Sequence, residues 1–166
     1  MAGKLSADLQ GFVDGMPFGA QLGLKVEEAK PGYVRAVLAP KPSLMNHRGT
    51  YQAGVYFTAA EIVGGLLCGT FFDLRSNFLI TRNIEIDFKV ASNEPISIEA
   101  RASAEERETV LSLLAGKRKS DFIVEAIITD SKGACLAHSL NRYYLRLGNP
   151  RMRRGNKPSR SPLPQR

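Results

Sequence analysis

Residues 53–72 read Ala53-Gly-Val-Tyr-Phe-Thr-Ala-Ala-Glu-Ile-Val-Gly-Gly-Leu-Leu-Cys-Gly-Thr-Phe-Phe72, with Glu61 as the sole charge. Apolar residues recur on every side at helical spacing, which predicts a helix enclosed by protein all round. Leaving a carboxylate in such a run is costly unless it is satisfied or used. Glu61 is therefore either an acid that does chemistry or reads a ligand, or one satisfied by donors at the edge of a core. Its length of twenty residues would also span a bilayer. Glu61 near the centre would cost about 2.5–3.5 kcal/mol there, and Gly64, Gly65 and Gly69 weaken a lone span, so no membrane span is expected.

Working outward, residues 6–16 predict a short amphipathic helix with Ser6 as its N-cap, followed by a turn of helix from Pro17 that Gly23 ends. Strands are expected at Leu24–Glu28 and Tyr33–Leu38, joined at Pro31-Gly32. Beyond the central helix, Phe78, Ile80, Ile84, Ile86, Phe88 and Val90 hold even positions, while Thr81, Asn83, Glu85, Asp87 and Lys89 hold odd ones. That alternation predicts one long strand with its even face on a core. Ile96 to Ala102 continue as a strand. Ser103-Ala-Glu-Glu106 has the capping-box pattern, which places a second, exposed helix at 104–116. Phe122 to Ile128 and residues 134–146 form the last strands, joined by Asp130-Ser-Lys-Gly133. The class is α+β: an antiparallel sheet of about six strands with the apolar helix in its concave face.

The formal charge of +7 is unevenly placed. Residues 1–146 carry seventeen basic and sixteen acidic side chains, whereas 147–166 carry six basic ones and no acid. The chain divides into a domain over 1–146 and a basic tail over 147–166, rich in Pro and Gly, without hydrophobic period and expected to be disordered. The tail has no aromatic residue to stack on bases, so nucleic-acid contact is not expected. Cys68 and Cys135 are far apart and neither pairs with His47 or His138 at metal-ligand spacing, so no metal, cofactor or disulfide is expected. The N-terminus lacks the pattern of a secretory signal, and Asp8 and Asp14 argue against a transit peptide, so the expected compartment is the cytoplasm.

The stretch Asn46-His-Arg-Gly-Thr-Tyr-Gln-Ala-Gly-Val-Tyr-Phe-Thr-Ala-Ala-Glu61 resembles the signature of the phenylacetate-type acyl-CoA thioesterases of the hotdog-fold superfamily. That signature has Asn or Gln, then His-Gly-Gly, then Asp or Glu at the same spacing. The resemblance covers about residues 17–146 and implies a hotdog fold wrapped on one long helix. The helix at 104–116 resembles a divergent, mostly uncharacterised branch. Carried over by position, Asn46 falls on the amide that orients thioester or water. Ala53 falls on the glycine whose N–H holds the oxyanion, with Gln52 and Gly54 beside it in the substrate-binding stretch. Glu61 falls on the catalytic carboxylate, and Thr81 falls where relatives have a water-positioning hydroxyl. Gln52 and Ala53 depart from the pattern, turning His-Gly-Gly into Gln-Ala-Gly.

The resemblance implies hydrolysis of an acyl-CoA or related acyl thioester. The Gln52 replacement keeps open an alternative, a non-catalytic hotdog protein that binds acyl thioesters or serves as an interaction module. Geometry adds a condition. Ala53 and Glu61 are eight residues apart, about 12 Å along one helix. One thioester cannot touch both, so a shared site needs a homodimer, or a dimer of dimers, with two equivalent sites per pair.

Overall fold

The computed structural model describes residues 2–148. Helix α1 spans Ala2–Asp14 and α2 spans Pro17–Leu22. Strands β1 (Lys25–Lys30) and β2 (Tyr33–Leu38) follow, then a single 3₁₀ turn at Pro42–Leu44 and the central helix α3 (Ala53–Gly69). The chain continues through β3 (Phe78–Phe88), β4 (Ile96–Arg101), α4 (Ala104–Lys117), β5 (Lys119–Asp130) and β6 (Cys135–Arg146). All strand pairs are antiparallel in one six-stranded sheet of order β1-β2-β4-β5-β6-β3. This is the expected α+β arrangement. Of the expected basic tail, residues 149–166 lie outside the described residues.

The core lies between α3 and the sheet. Val63, Leu66 and Leu67 of α3 meet the inward row of β5, where Phe122, Val124, Ala126 and Ile128 alternate with exposed residues. Burial of that alternate row is what fixes the register of β5. The β1 edge of the sheet is covered by α1. Gln10 of α1 donates from Nε2 to the Leu24 carbonyl at 3.1 Å and accepts at Oε1 from the Val26 N–H at 2.7 Å. A side-chain amide thus replaces the missing neighbour strand at that point. At the opposite end, β3 has no neighbour beyond it among the described residues.

Four expectations need correction. Helix α1 begins at Ala2, so Ser6 lies inside it and not at its N-cap position. Helix α4 ends one residue later than Gly116. Arg118 closes it in the left-handed conformation (φ 58°), its N–H reaching the Leu114 carbonyl at 2.9 Å. The capping box at Ser103 and Glu106 is present as read.

The third correction concerns β3. Its pairing with β6 slips between Thr81 and Asn83, where Thr81 faces Tyr143 and Asn83 faces the next residue, Arg142. This bulge reverses the parity of the strand. Ile80, expected on the core, is exposed, whereas Leu79 and Thr81 turn inward and Ile84 and Ile86 do so after the bulge. The fourth concerns α3, which stops at Gly69 and is not fully enclosed by the described residues. Gly54 and Phe57 are exposed and Thr58 and Glu61 half-buried, an open stripe at i, i+3, i+4 and i+7. Among the described residues no helix is long and apolar enough to cross a membrane.

Candidate functional site

The approach to α3 is a closed loop built on Asn46. Its N–H donates to the Thr50 carbonyl at 2.7 Å, and its Nδ2 donates to Thr50 Oγ1 at 2.9 Å and to the Tyr51 carbonyl at 3.4 Å. Its Oδ1 accepts from the Arg48 and Thr50 N–H groups. Gly49 takes a left-handed φ of 74° to let the loop turn. Both ends of the Asn46 side chain are thus engaged within the loop, which they close.

The loop delivers Gln52 in an extended conformation as N-cap of α3, its own N–H bonded to the Leu44 carbonyl at 2.9 Å. No side chain caps the helix. In the first turn, Ala53 and Gly54 have no carbonyl four residues back within the helix, and both are exposed. Two outward N–H groups and the positive end of the helix dipole therefore meet whatever approaches.

Two turns on, the Thr81 hydroxyl donates to Glu61 Oε1 at 2.5 Å. The β3 bulge makes this contact possible, because without it Thr81 would share the outward face with Asn83, Glu85 and Asp87. The backbone around Glu61 is gripped from β6. Tyr143 donates its hydroxyl to the Glu61 carbonyl at 2.6 Å, and Asn141 donates Nδ2 to the Ala60 carbonyl at 3.2 Å. Burial first, then the negative charge of Glu61, push the Tyr143 hydroxyl well above its ordinary range, so it remains a donor.

Two cavities flank the start of α3. One, of about 240 Å³, is lined by Asn46, Ala53, Tyr56 and Phe88. Its aromatic wall is Tyr51, Tyr56 and Phe88, with ring centroids 5.7 and 6.4 Å apart in sequence. Tyr51 donates to the Leu38 carbonyl at 3.2 Å, and burial, aided by Tyr56, pushes its hydroxyl up to about 12. The other cavity, of about 360 Å³, is mostly apolar and lined by Phe18, Leu22, Gln52, Gly54 and Phe57. A third, of about 270 Å³ between α1 and the far end of α3, holds none of the candidate residues. Neither cavity at the helix start includes Glu61.

The structure thus joins Thr81 to Glu61, and Asn46 to the loop beside Ala53, but it separates the two groups along one helix. Gln52 and Gly54 border a different cavity from Ala53. Sequence reading missed Asn141, Tyr143, Tyr51 and Tyr56. Asn141 and Tyr143 share the parity of buried Ala137, Ser139 and Leu145 on β6, so a run of polar groups on a buried strand face was the available signal. Among the described residues no cluster of His, Cys, Asp and Glu could hold a metal ion.

A family model described as "Domain of unknown function (DUF4442)" matches residues 8–144. No curated protein matches the chain. Among solved structures, a Pseudomonas aeruginosa protein described as of unknown function and a probable thioesterase is 31% identical. That match covers 84% of this chain and 93% of that one, with a TM-score of 0.75. A thioesterase family protein from Silicibacter pomeroyi shares the fold at 14% identity, covering 87% and 99%, with a TM-score of 0.69. A hypothetical thioesterase protein from Streptococcus pneumoniae, crystallised with coenzyme A, is 14% identical over 76% and 88%, with a TM-score of 0.59.

Proposed function

Because the chain belongs to the DUF4442 family, within the hotdog-fold thioesterase superfamily, we propose that it hydrolyses an acyl-CoA or related acyl thioester. The observation that carries this reading is Glu61. It stands on the open stripe of α3, hydrogen-bonded by Thr81 at 2.5 Å, two turns from an uncapped helix start. Among superfamily branches, the spacing from Asn46 to Glu61 favours the phenylacetate type.

The site is completed by a second copy. Isologous pairing through the open stripe and the free edge of β3 brings the helix start of one copy to Glu61 of the other. The N–H groups of Ala53 and Gly54 then receive the carbonyl oxygen of the thioester as it gains charge. Glu61 takes a proton from water, whose oxygen adds to the acyl carbon, or its carboxylate adds directly and the resulting anhydride is hydrolysed. In the first course, collapse of the tetrahedral species breaks the carbon–sulfur bond and the proton held by Glu61 passes to the thiolate; in the second, collapse expels the thiolate as the anhydride forms, and the water that hydrolyses the anhydride supplies its proton. The products are a carboxylic acid and a free thiol, and water is the sole co-reactant. Thr81 orients the carboxylate, and Asn46 acts by holding the loop that places Ala53.

Coenzyme A in the Streptococcus pneumoniae relative makes acyl-CoA thioesters the first substrates to assay. The test is thiol release from aliphatic and aryl acyl-CoAs at micromolar protein. Release with a defined acyl preference is expected; no release across the panel refutes hydrolysis. The exposed Gln52, in place of the family's histidine, favours the second reading, an acyl-thioester binder without turnover. That reading predicts saturable binding of the same thioesters with no thiol produced.

A further inference from the structure

We infer that Tyr143 and Asn141 are positioning residues for Glu61, seated on α3 through the space that Gly64 leaves open. The inference rests on the hydrolytic reading above and concerns residues that reading does not use. Both side chains are fully buried on the inward face of β6. They donate to two consecutive helix carbonyls, Tyr143 to Glu61 at 2.6 Å and Asn141 to Ala60 at 3.2 Å. The backbone that carries the carboxylate is therefore fixed to β6, while Thr81 of the neighbouring β3 fixes the carboxylate itself. Backbone and side chain are held from adjacent strands, so the position of Oε1 relative to a partner's helix start is over-determined. Preorganisation of this kind is what a reacting group needs.

Stability alone gives no reason for this arrangement. Asn141 Oδ1 is buried and has no hydrogen-bond partner among the described residues. A buried unsatisfied oxygen is costly, and an apolar side chain of similar volume would avoid that cost. The donor end of the amide is the part this place uses. Gly64 points the same way. A Cβ there would collide with the Tyr143 hydroxyl and come within 3.0 Å of Asn141 Nδ2, so a glycine at mid-helix, itself weakening the helix, is what admits both donors. Gly64 stands one turn after Glu61 on an adjoining face of α3, whereas Gly54, Phe57 and Thr58 of the open stripe precede Glu61, so the grip comes from beyond the carboxylate and leaves the stripe before it uncovered.

The test compares wild type, Tyr143→Phe, Glu61→Gln and the double variant in thiol release from the best acyl-CoA, with melting temperature measured beside it. Tyr143→Phe removes one oxygen and keeps the ring. We expect kcat to fall by at least about tenfold with KM within twofold and the dimer intact. In the Glu61→Gln background, the same change should cost nothing further, because Tyr143 acts through that carboxylate. Asn141→Leu should lower kcat likewise without lowering the melting temperature, and it carries the test should Tyr143→Phe not fold. Wild-type kcat in both folded variants overturns the inference, as does an equal loss with and without Glu61. If wild type releases no thiol, the hydrolytic reading falls and takes this inference with it; activity that ignores Tyr143 and Asn141 removes the inference alone.

Discussion

Phe57→Ala offers a quantitative test of assembly. Phe57 is 41% exposed on the open stripe of α3, next to Thr58 and one turn before Glu61. A phenylalanine has roughly 200 Å² to bury, so about 80 Å² remains uncovered in a single chain. Covering it at about 25 cal/mol per Å² contributes about 2 kcal/mol. In an isologous pair each substitution occurs twice, which brings the loss to about 4 kcal/mol, or roughly a thousandfold in the dimer dissociation constant. Sedimentation equilibrium over nanomolar to high-micromolar concentration measures this directly. Wild type should be dimeric or larger at micromolar concentration, and Phe57→Ala should dissociate there while keeping its far-UV spectrum. Leu111→Ala, at an equally exposed position on α4, should leave assembly unchanged. A wild type that is monomeric at micromolar concentration, or a Phe57→Ala dimer as tight as wild type, would refute pairing through the α3 stripe.

Other expectations follow from single contacts. Thr81→Val keeps the volume and removes the 2.5 Å hydrogen bond to Glu61; kcat should fall about tenfold with KM little changed, read from initial-rate thiol release. Ser103→Ala removes the capping box of α4 and should cost about 0.5–2 kcal/mol in denaturant unfolding, with kcat unchanged because α4 supplies none of the candidate site residues. Tyr51 and Tyr143 both have hydroxyls raised by burial, Tyr51 to about 12. Their neutral forms favour the folded state, so that contribution is complete below pH 10 and is lost as pH rises from 10 through the raised range of each hydroxyl, about 12 for Tyr51. Tyrosinate absorbance should show at least these two residues ionising together with unfolding; their titration near pH 10 in the native protein would contradict the burial.

How much of this was legible follows from what each residue had to compete with. Strand β5 was readable because every second residue is apolar and the structure buries that same row. The capping box was readable because its two hydrogen bonds involve residues three apart and no distant partner. Strand β3 misled because Phe78, Leu79 and Ile80 are all apolar, so the even parity of Ile84 and Ile86 extends backwards unopposed. The bulge is set by β6, which must keep Asn141, Tyr143 and Leu145 inward, and that demand is invisible within residues 78–88. The open stripe on α3 was hidden for a related reason. Gly54, Phe57 and Thr58 are as apolar or small as the buried residues beside them, and hydropathy does not record whether a chain's own atoms or a second copy cover a face. Glu61 was legible as the lone charge of its helix, whereas Thr81 came from the resemblance, and Asn141 and Tyr143 needed the fold.

We propose that Glu61 performs the chemistry, and Glu61→Gln isolates the charge on which that role depends. The substitution keeps the size of the side chain and an oxygen able to accept from Thr81, and removes the charge. Measured on the best acyl-CoA, kcat for thiol release should fall by at least about a hundredfold. Thioester binding, assembly and melting temperature should stay near the wild-type values. A Glu61→Gln protein that turns over at the wild-type rate would contradict the account.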